Sequence, residues 1–351
     1  GLLEKTKLQQ WSKKDLFYSA KALDKKDKMV SLFPGQGAQY LDMLNDVALA
    51  YPEMREILGT ANDAMLEIGQ ARISDAIYPR LFPGESSEGL EETLADTANT
   101  QPALAAASGG LYRILKKRGY RADMNIGHRF GEITALWAAE AMEDVDFARL
   151  AVARGGVMKN FAPEGTAMLA VMLDKAGVEK AIAGKTDLHI ANENSANQTI
   201  VAGGGEAIEA LQKELESKNV KCTKLKVSRA FHSPYMEKAA GKLARILDNI
   251  NMKSPKGKVY ANTTAVIYPQ TEKAAKDTLV KQLTNPVLFQ SSIERAYRDG
   301  ARVFVEIGPG RVLSGLVDQI LAGKEHHTVT LNADGKRNSM EQLERALAQL
   351  K

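Results

Sequence analysis

Apolar and polar positions change period several times along this chain, and the changes outline its elements. Met29 to Pro34 is a short apolar run that enters the turn Gly35-Gln36-Gly37, the pattern of a buried strand. Helical periodicity follows over about 41–58, and again over 101–118, where small residues come first. Residues 122–128 (ADMNIGH) read as a strand and 131–142 (GEITALWAAEAM) as a helix with an apolar face. Strand, sharp glycine turn and helix in succession is the α/β pattern. The middle of the chain departs from it. HIANEN (189–194) and QTIVAG (198–203) predict two short strands joined by a turn. Residues 206–218 predict a helix rich in Glu and Lys, and 220–227 (VKCTKLKV) a further strand. This β-β-α-β run predicts a small subdomain over 160–229, inserted into a larger one made of 29–159 and 230–351. The α/β pattern then resumes: a helix over 237–249, a buried strand over 301–308, the turn Gly308-Pro309-Gly310, a helix to about 322 and a last helix over 339–350.

Composition narrows the class. The 351 residues fit one large domain carrying a smaller insert. Hydrophobic residues at 44% and charged residues at 26% are ordinary for a soluble globular chain. No apolar run is long enough to span a bilayer and no signal peptide pattern opens the chain, so no membrane and a cytoplasmic location are expected. The single cysteine, Cys222, excludes an intrachain disulfide. That cysteine and the five histidines lack metal-ligand spacing, so no metal is expected. Charge matters at one end only. Residues 1–28 hold eight lysines and four acids and read as a basic linker with some helical character; the rest has as many bases as acids. A neutral body argues against a nucleic-acid partner.

Four short motifs carry the candidate chemistry. Gly127-His128-Arg129-Phe130-Gly131 lies between a strand and a helix, with glycine two before and two after its centre. That is the form of a nucleophile elbow, in which a strained turn pushes the central side chain into the open. The centre of an elbow is Ser, Cys or Asp. Arg129 stays protonated and serves as neither nucleophile nor base. Gly35-Gln36-Gly37 follows a strand and can expose backbone N–H groups, as an oxyanion hole requires. His232, in Ala230-Phe231-His232-Ser233-Pro234, stands where a side chain can face a cleft. Arg154, followed by two glycines, can clamp a carboxylate through parallel N–H bonds. Taken singly, each motif also has a bland reading: a tight turn, a structural histidine, a solvated arginine.

In this order and at these separations, together with Gln101-Pro102-Ala103, Asn192-Glu193-Asn194-Ser195, Val201-Ala202-Gly203, Gln282, Asn285-Pro286-Val287 and Glu306-Ile307-Gly308-Pro309-Gly310, the motifs resemble the malonyl-CoA:acyl-carrier-protein transacylase family. The resemblance runs from about Met29 to Leu321. It implies an α/β-hydrolase-like large subdomain with an inserted ferredoxin-like small one. It implies ping-pong transfer of a malonyl group from a CoA thioester, through an acyl-serine, to the phosphopantetheine thiol of an acyl carrier protein, with no bound cofactor. Position 129 matches that serine, His232 the general base, and Gln282 the residue whose main-chain carbonyl orients it. The N–H groups of Gln36 and Phe130 match the oxyanion hole, and Arg154 the partner of the malonyl carboxylate. His128, Phe231 and Met158 fall among the substrate-binding positions, a bulky Phe231 fitting malonyl rather than a branched acyl group. The wording around 127–139 and 73–79 is similar to acyltransferase domains of polyunsaturated fatty acid, polyketide and enediyne synthases, which implies a neighbouring ketosynthase domain.

Arg129 is the departure. One base change turns a serine codon into an arginine codon. The retention of His232, Arg154, Gln36 and both elbow glycines favours a substituted, inactive variant over a naturally non-catalytic module that docks the carrier protein. A hydrolase would share the elbow but would want no carboxylate clamp. The Arg129 guanidinium is expected to fill the acyl pocket near Arg154.

Overall fold

A computed structural model describes residues 10–13, 16–19, 27–80, 86, 88–225 and 229–350. Much of the basic leader, and the end of the strand expected over 220–227, therefore lie outside the described residues. Within the leader the helical expectation fails. Gln10–Lys13 (β1) and Leu16–Ser19 (β2) pair as an antiparallel hairpin, with Trp11 opposite Tyr18. Aromatic residues favour a pleated strand over a helix, and two four-residue runs are too short to nucleate helices.

Two five-stranded sheets form the body. The first holds Lys28–Phe33 (β3), Met124–Gly127 (β4), Lys258–Tyr260 (β9), Ala301–Pro309 (β11) and His327–Asn332 (β12), in the order β12-β11-β3-β4-β9 and parallel throughout. Parallel sheets need cover on both faces, which explains why β4 is buried along its whole length and β3 over its last four residues. The second sheet holds Thr166–Val171 (β5), Leu188–Ser195 (β6), Gln198–Gly204 (β7), Cys222–Lys224 (β8) and Val287–Leu288 (β10), in the order β10-β6-β7-β5-β8. With the helices Lys175–Ile182 and Gly205–Ser217, strands β5 to β8 make a βαββαβ unit. The protein is thus a large α/β subdomain with a small one, as expected. The shorter β-β-α-β reading missed β5 and the helix after it. TAMLAV is buried at all six positions, so it carries no alternation. The fifth strand, β10, comes from a segment 63 residues after β8 and joins β6 in parallel.

Helix boundaries moved where local chemistry dictates. The helix expected over 41–58 is two, Asn45–Ala50 and Pro52–Glu67. Tyr51 before the proline is extended (φ −110°, ψ 120°), as the proline ring demands, and Pro52 starts the second helix where its missing N–H costs nothing. The helix expected from 101 begins at Thr97, capped by the Asp96 carboxylate accepting from the Ala98 amide. The helix after the elbow ends at Ala138 instead of 142. No helix among the described residues is long and apolar enough to cross a membrane.

Candidate active site

The site is built where β3 and β4, adjacent and parallel, end side by side. From β4 the chain makes the turn His128-Arg129-Phe130 and enters the helix Gly131–Ala138, all eight residues of which are buried. Arg129 has φ 57°, a left-handed conformation that L residues rarely adopt. The elbow glycines have a steric cause. A Cβ on Gly127 would fall on the backbone of Gly131 and Glu132, and one on Gly131 on the Phe33 carbonyl. The turn after β3 packs against the elbow, since a Cβ on Gly35 would stand 3.3 Å from the Phe130 amide nitrogen. Gln36 lies in that turn, with its side chain donating to Thr97 Oγ1 at 3.2 Å.

Above the elbow opens a cleft of about 860 Å³, lined by both subdomains and by the turn after β3. Gln36, His128 and Arg129 line its floor side, and Asn192, Asn194 and Gln198 of the small subdomain face them. His232, Arg154, Phe231 and Met158 do not line it. Each is no more than 3% exposed, and among them His232 meets the Arg129 side chain.

Arg129 itself is only 9% exposed. Its Nε donates to His232 Nε2 at 3.3 Å, and its Nη2 points at Met168 Sδ at 3.4 Å. His232 also has a positive φ, 58°, and its Nδ1 donates to the Gln282 main-chain carbonyl at 2.8 Å. The proton on Nδ1 leaves Nε2 as the acceptor facing position 129. Burial, then the Arg129 and Arg154 charges, hold this imidazole well below its usual pKa, so it is neutral. Burial likewise pushes His128 down to about 4, with Arg129 adding to the effect; its Nε2 sits 2.9 Å from Asn194 Oδ1. Burial lowers Arg129 to about 10, which leaves it cationic at neutral pH.

Arg154 is 1% exposed on the helix Asp144–Phe161. It donates through Nη1 to Gln101 Oε1 at 2.9 Å and through Nη2 to Gln282 Oε1 at 2.7 Å, while its Nε has no partner among the described residues. Met158, one turn on, meets the Gln101 amide through its sulfur at 3.3 Å. The arginine is therefore held by two amide oxygens and not by a carboxylate. Burial lowers it to about 10, and the Arg129 charge works in the same direction. The Arg129 guanidinium, expected to fill the acyl pocket near Arg154, is 9% exposed and turned to His232 and Met168, while the hydrogen bonds of Arg154 go to Gln101 and Gln282.

Three residues that carried no role in the sequence complete the site. Asn262 accepts from the Arg129 amide at 2.9 Å and donates to the Gly127 carbonyl at 2.7 Å, bracketing the elbow. Glu132 is fully buried, accepts from the Tyr268 hydroxyl at 2.6 Å and the Asn262 amide at 3.1 Å, and also from the Gln282 side chain. A helix whose neighbours are apolar all round was the one available sign that Glu132 is buried. A glutamate in a first turn otherwise reads as a solvated partner of the helix dipole.

Residues 30–351 match the family described as acyl transferase domain. The chain belongs to the acyl transferase domain family. Among relatives of this acyl transferase domain, a polyunsaturated fatty acid synthase chain of Thraustochytrium is 30% identical over 345 residues, which are 95% of this chain but 12% of that protein. The malonyl CoA-acyl carrier protein transacylase of Bacillus subtilis is 33% identical over 302 residues, 84% of this chain and 90% of that one. Among solved structures, a malonyl-transacylase in complex with a type II PKS acyl-carrier protein superposes with a TM-score of 0.79 at 31% identity, over 91% of this chain and 99% of that one. The first of these relatives is much longer than this acyl transferase domain, and the second is almost the same length.

Proposed function

We propose that this fold moves a malonyl group from CoA to the phosphopantetheine thiol of an acyl carrier protein, and that the chain as written is its silenced form. The observation that carries the reading is His232. Its Nδ1 is tied to a backbone carbonyl and its Nε2 is aimed at the side chain of residue 129, the arrangement a base needs to take a nucleophile's proton. With serine at 129, the hydroxyl would occupy the mouth of the elbow, and the Gln36 and Phe130 amides would serve the developing oxyanion. Arg154, positioned by Gln101 and Gln282 and with its Nε open, would pair with the free carboxylate of malonyl, and the buried Phe231 would limit branching beside it. With Arg129 the nucleophile is absent and its place is filled by a cation.

The relatives named as malonyl CoA-acyl carrier protein transacylases support the substrate and the acceptor. The synthase relative supports a neighbouring ketosynthase in a longer parent protein. The test is transfer itself. The Arg129→Ser chain, given malonyl-CoA and then a holo carrier protein, is expected to deliver malonyl to the carrier, and His232→Ala in that background to deliver none within the same time.

A second reading has its own support. Arg129 is accommodated in the elbow, with hydrogen-bonding partners and little exposure, as a naturally non-catalytic docking module would require. Carrier-protein binding without acylation, even after Arg129→Ser, would favour it.

A further inference from the structure

Gln282 joins the parts of the site that transfer needs. It caps the helix Glu272–Lys281, so its main-chain carbonyl is one of the helix-end acceptors left open for His232. Its side chain is fully used as well. Nε2 donates to the Arg129 carbonyl at 2.6 Å and to Glu132 Oε2, while Oε1 accepts from Arg154 Nη2 at 2.7 Å. A terminal amide rotated by half a turn would present oxygen to Glu132 and to the residue 129 carbonyl, and nitrogen to a guanidinium. All three contacts would then be repulsive. The group that fixes the amide from below is Glu132. It is 0% exposed, and its other oxygen is held by Tyr268 and the Asn262 amide.

We propose that Glu132 is a positioning residue for His232 and Arg154, acting through the side chain of Gln282. His232 has no carboxylate partner of its own among the described residues; its Nδ1 meets a carbonyl. The buried acid of the site stands one residue further back and orients the residue that carries that carbonyl. The same contact sets which end of the Gln282 amide faces Arg154, so a single carboxylate sets both the base and the carboxylate clamp. Burial raises Glu132 to about 7, against Arg154, Tyr268 and the amide donors, all of which favour its ionised form. The part of this inference that concerns catalysis rests on the transfer reading; the geometric part does not.

Glu132→Gln is nearly isosteric but sets an NH2 group against the Gln282 NH2, which forces one amide to turn. Two measurements decide the matter. The first is malonyl loading of Arg129→Ser by intact mass at saturating malonyl-CoA, with and without Glu132→Gln and Glu132→Asp. The second is the downfield Nδ1–H proton resonance of His232, recorded with either residue at 129. Glu132→Gln is expected to slow loading by about tenfold or more, as small misplacements of catalytic groups do. It is also expected to shift or broaden the His232 resonance in both backgrounds, and Glu132→Asp to restore part of each. An unchanged resonance overturns the proposal, whatever happens to loading. So does unchanged loading with Arg129→Ser active. If Arg129→Ser loads no malonyl, the transfer reading fails, and the resonance alone still decides whether Glu132 positions His232. If Glu132→Gln does not fold, the Glu132→Asp comparison of resonance and rate takes its place, and parental values there overturn the proposal.

Discussion

Two glutamates among the described residues have no exposure at all, and both follow strands of the parallel sheet or end them. Glu306 lies near the end of β11. Its two oxygens accept from the Leu313 amide at 3.0 Å and the Ser314 amide at 2.7 Å, so it caps the helix Val312–Ile320. Glu132 starts the helix after β4 but caps nothing. Its partners, Asn262, Tyr268 and Gln282, lie 130 to 150 residues away. Burial raises both carboxyls to about 7. Equal burial therefore hides different tasks. Glu306 closes a turn locally, whereas Glu132 joins the elbow to two distant segments, one of which carries Gln282, the partner of His232.

The comparison can be broken at several strengths. The largest effect is expected at the elbow, on which the Glu132 network hangs. Gly131→Ala sets a methyl on the Phe33 carbonyl and is expected to cost more than about 4 kcal/mol, enough to abolish a cooperative melt at the parent temperature. Next comes Asn262→Leu, which strands the Arg129 amide and the Gly127 carbonyl in a dry interior. It is expected to cost about 2–4 kcal/mol by urea denaturation. Glu132→Gln is expected to cost about 1–3 kcal/mol through the clash of amide donors, and Glu306→Gln about 1 kcal/mol through one lost cap bond. Equal losses for the two glutamates would contradict the distinction between a local cap and a network.

The smallest effect concerns pH. A carboxyl raised to about 7 keeps its proton in the folded state after the unfolded chain has lost it. Its stabilising contribution is complete below about 4.5 and is lost as pH rises through about 7. His128, lowered to about 4, works oppositely: its contribution is present above about 6.5 and is lost as pH falls through about 4. Between pH 5 and 7 the two kinds of group offset each other. Glu306→Gln removes one carboxyl, so its urea midpoint is expected to rise from pH 5 to pH 7 relative to the parent. A constant displacement from the parent would contradict this.

What the sequence disclosed follows the same division. The elbow and the turn after β3 were readable because each is a strand end and a turn a few residues long, with glycines that sterics demand; His232 stood out by the proline turn that follows it. Arg154 was picked out by the two glycines after it, and Gln282 only through motif resemblance; periodicity found neither. Glu132, Asn262 and Tyr268 were not found, because their roles exist only once segments more than a hundred residues apart are folded together. Strand β5 escaped for another reason: a strand buried on both faces has no alternation to betray it.

On the proposed function, the side chain at position 129 alone separates this chain from a working acyltransferase. Intact-protein mass after brief exposure to malonyl-CoA, on the chain as it stands and on Arg129→Ser, tests it most directly. A malonyl-sized gain on the serine form alone is the predicted result. A gain on the arginine form, or on neither, would contradict the claim.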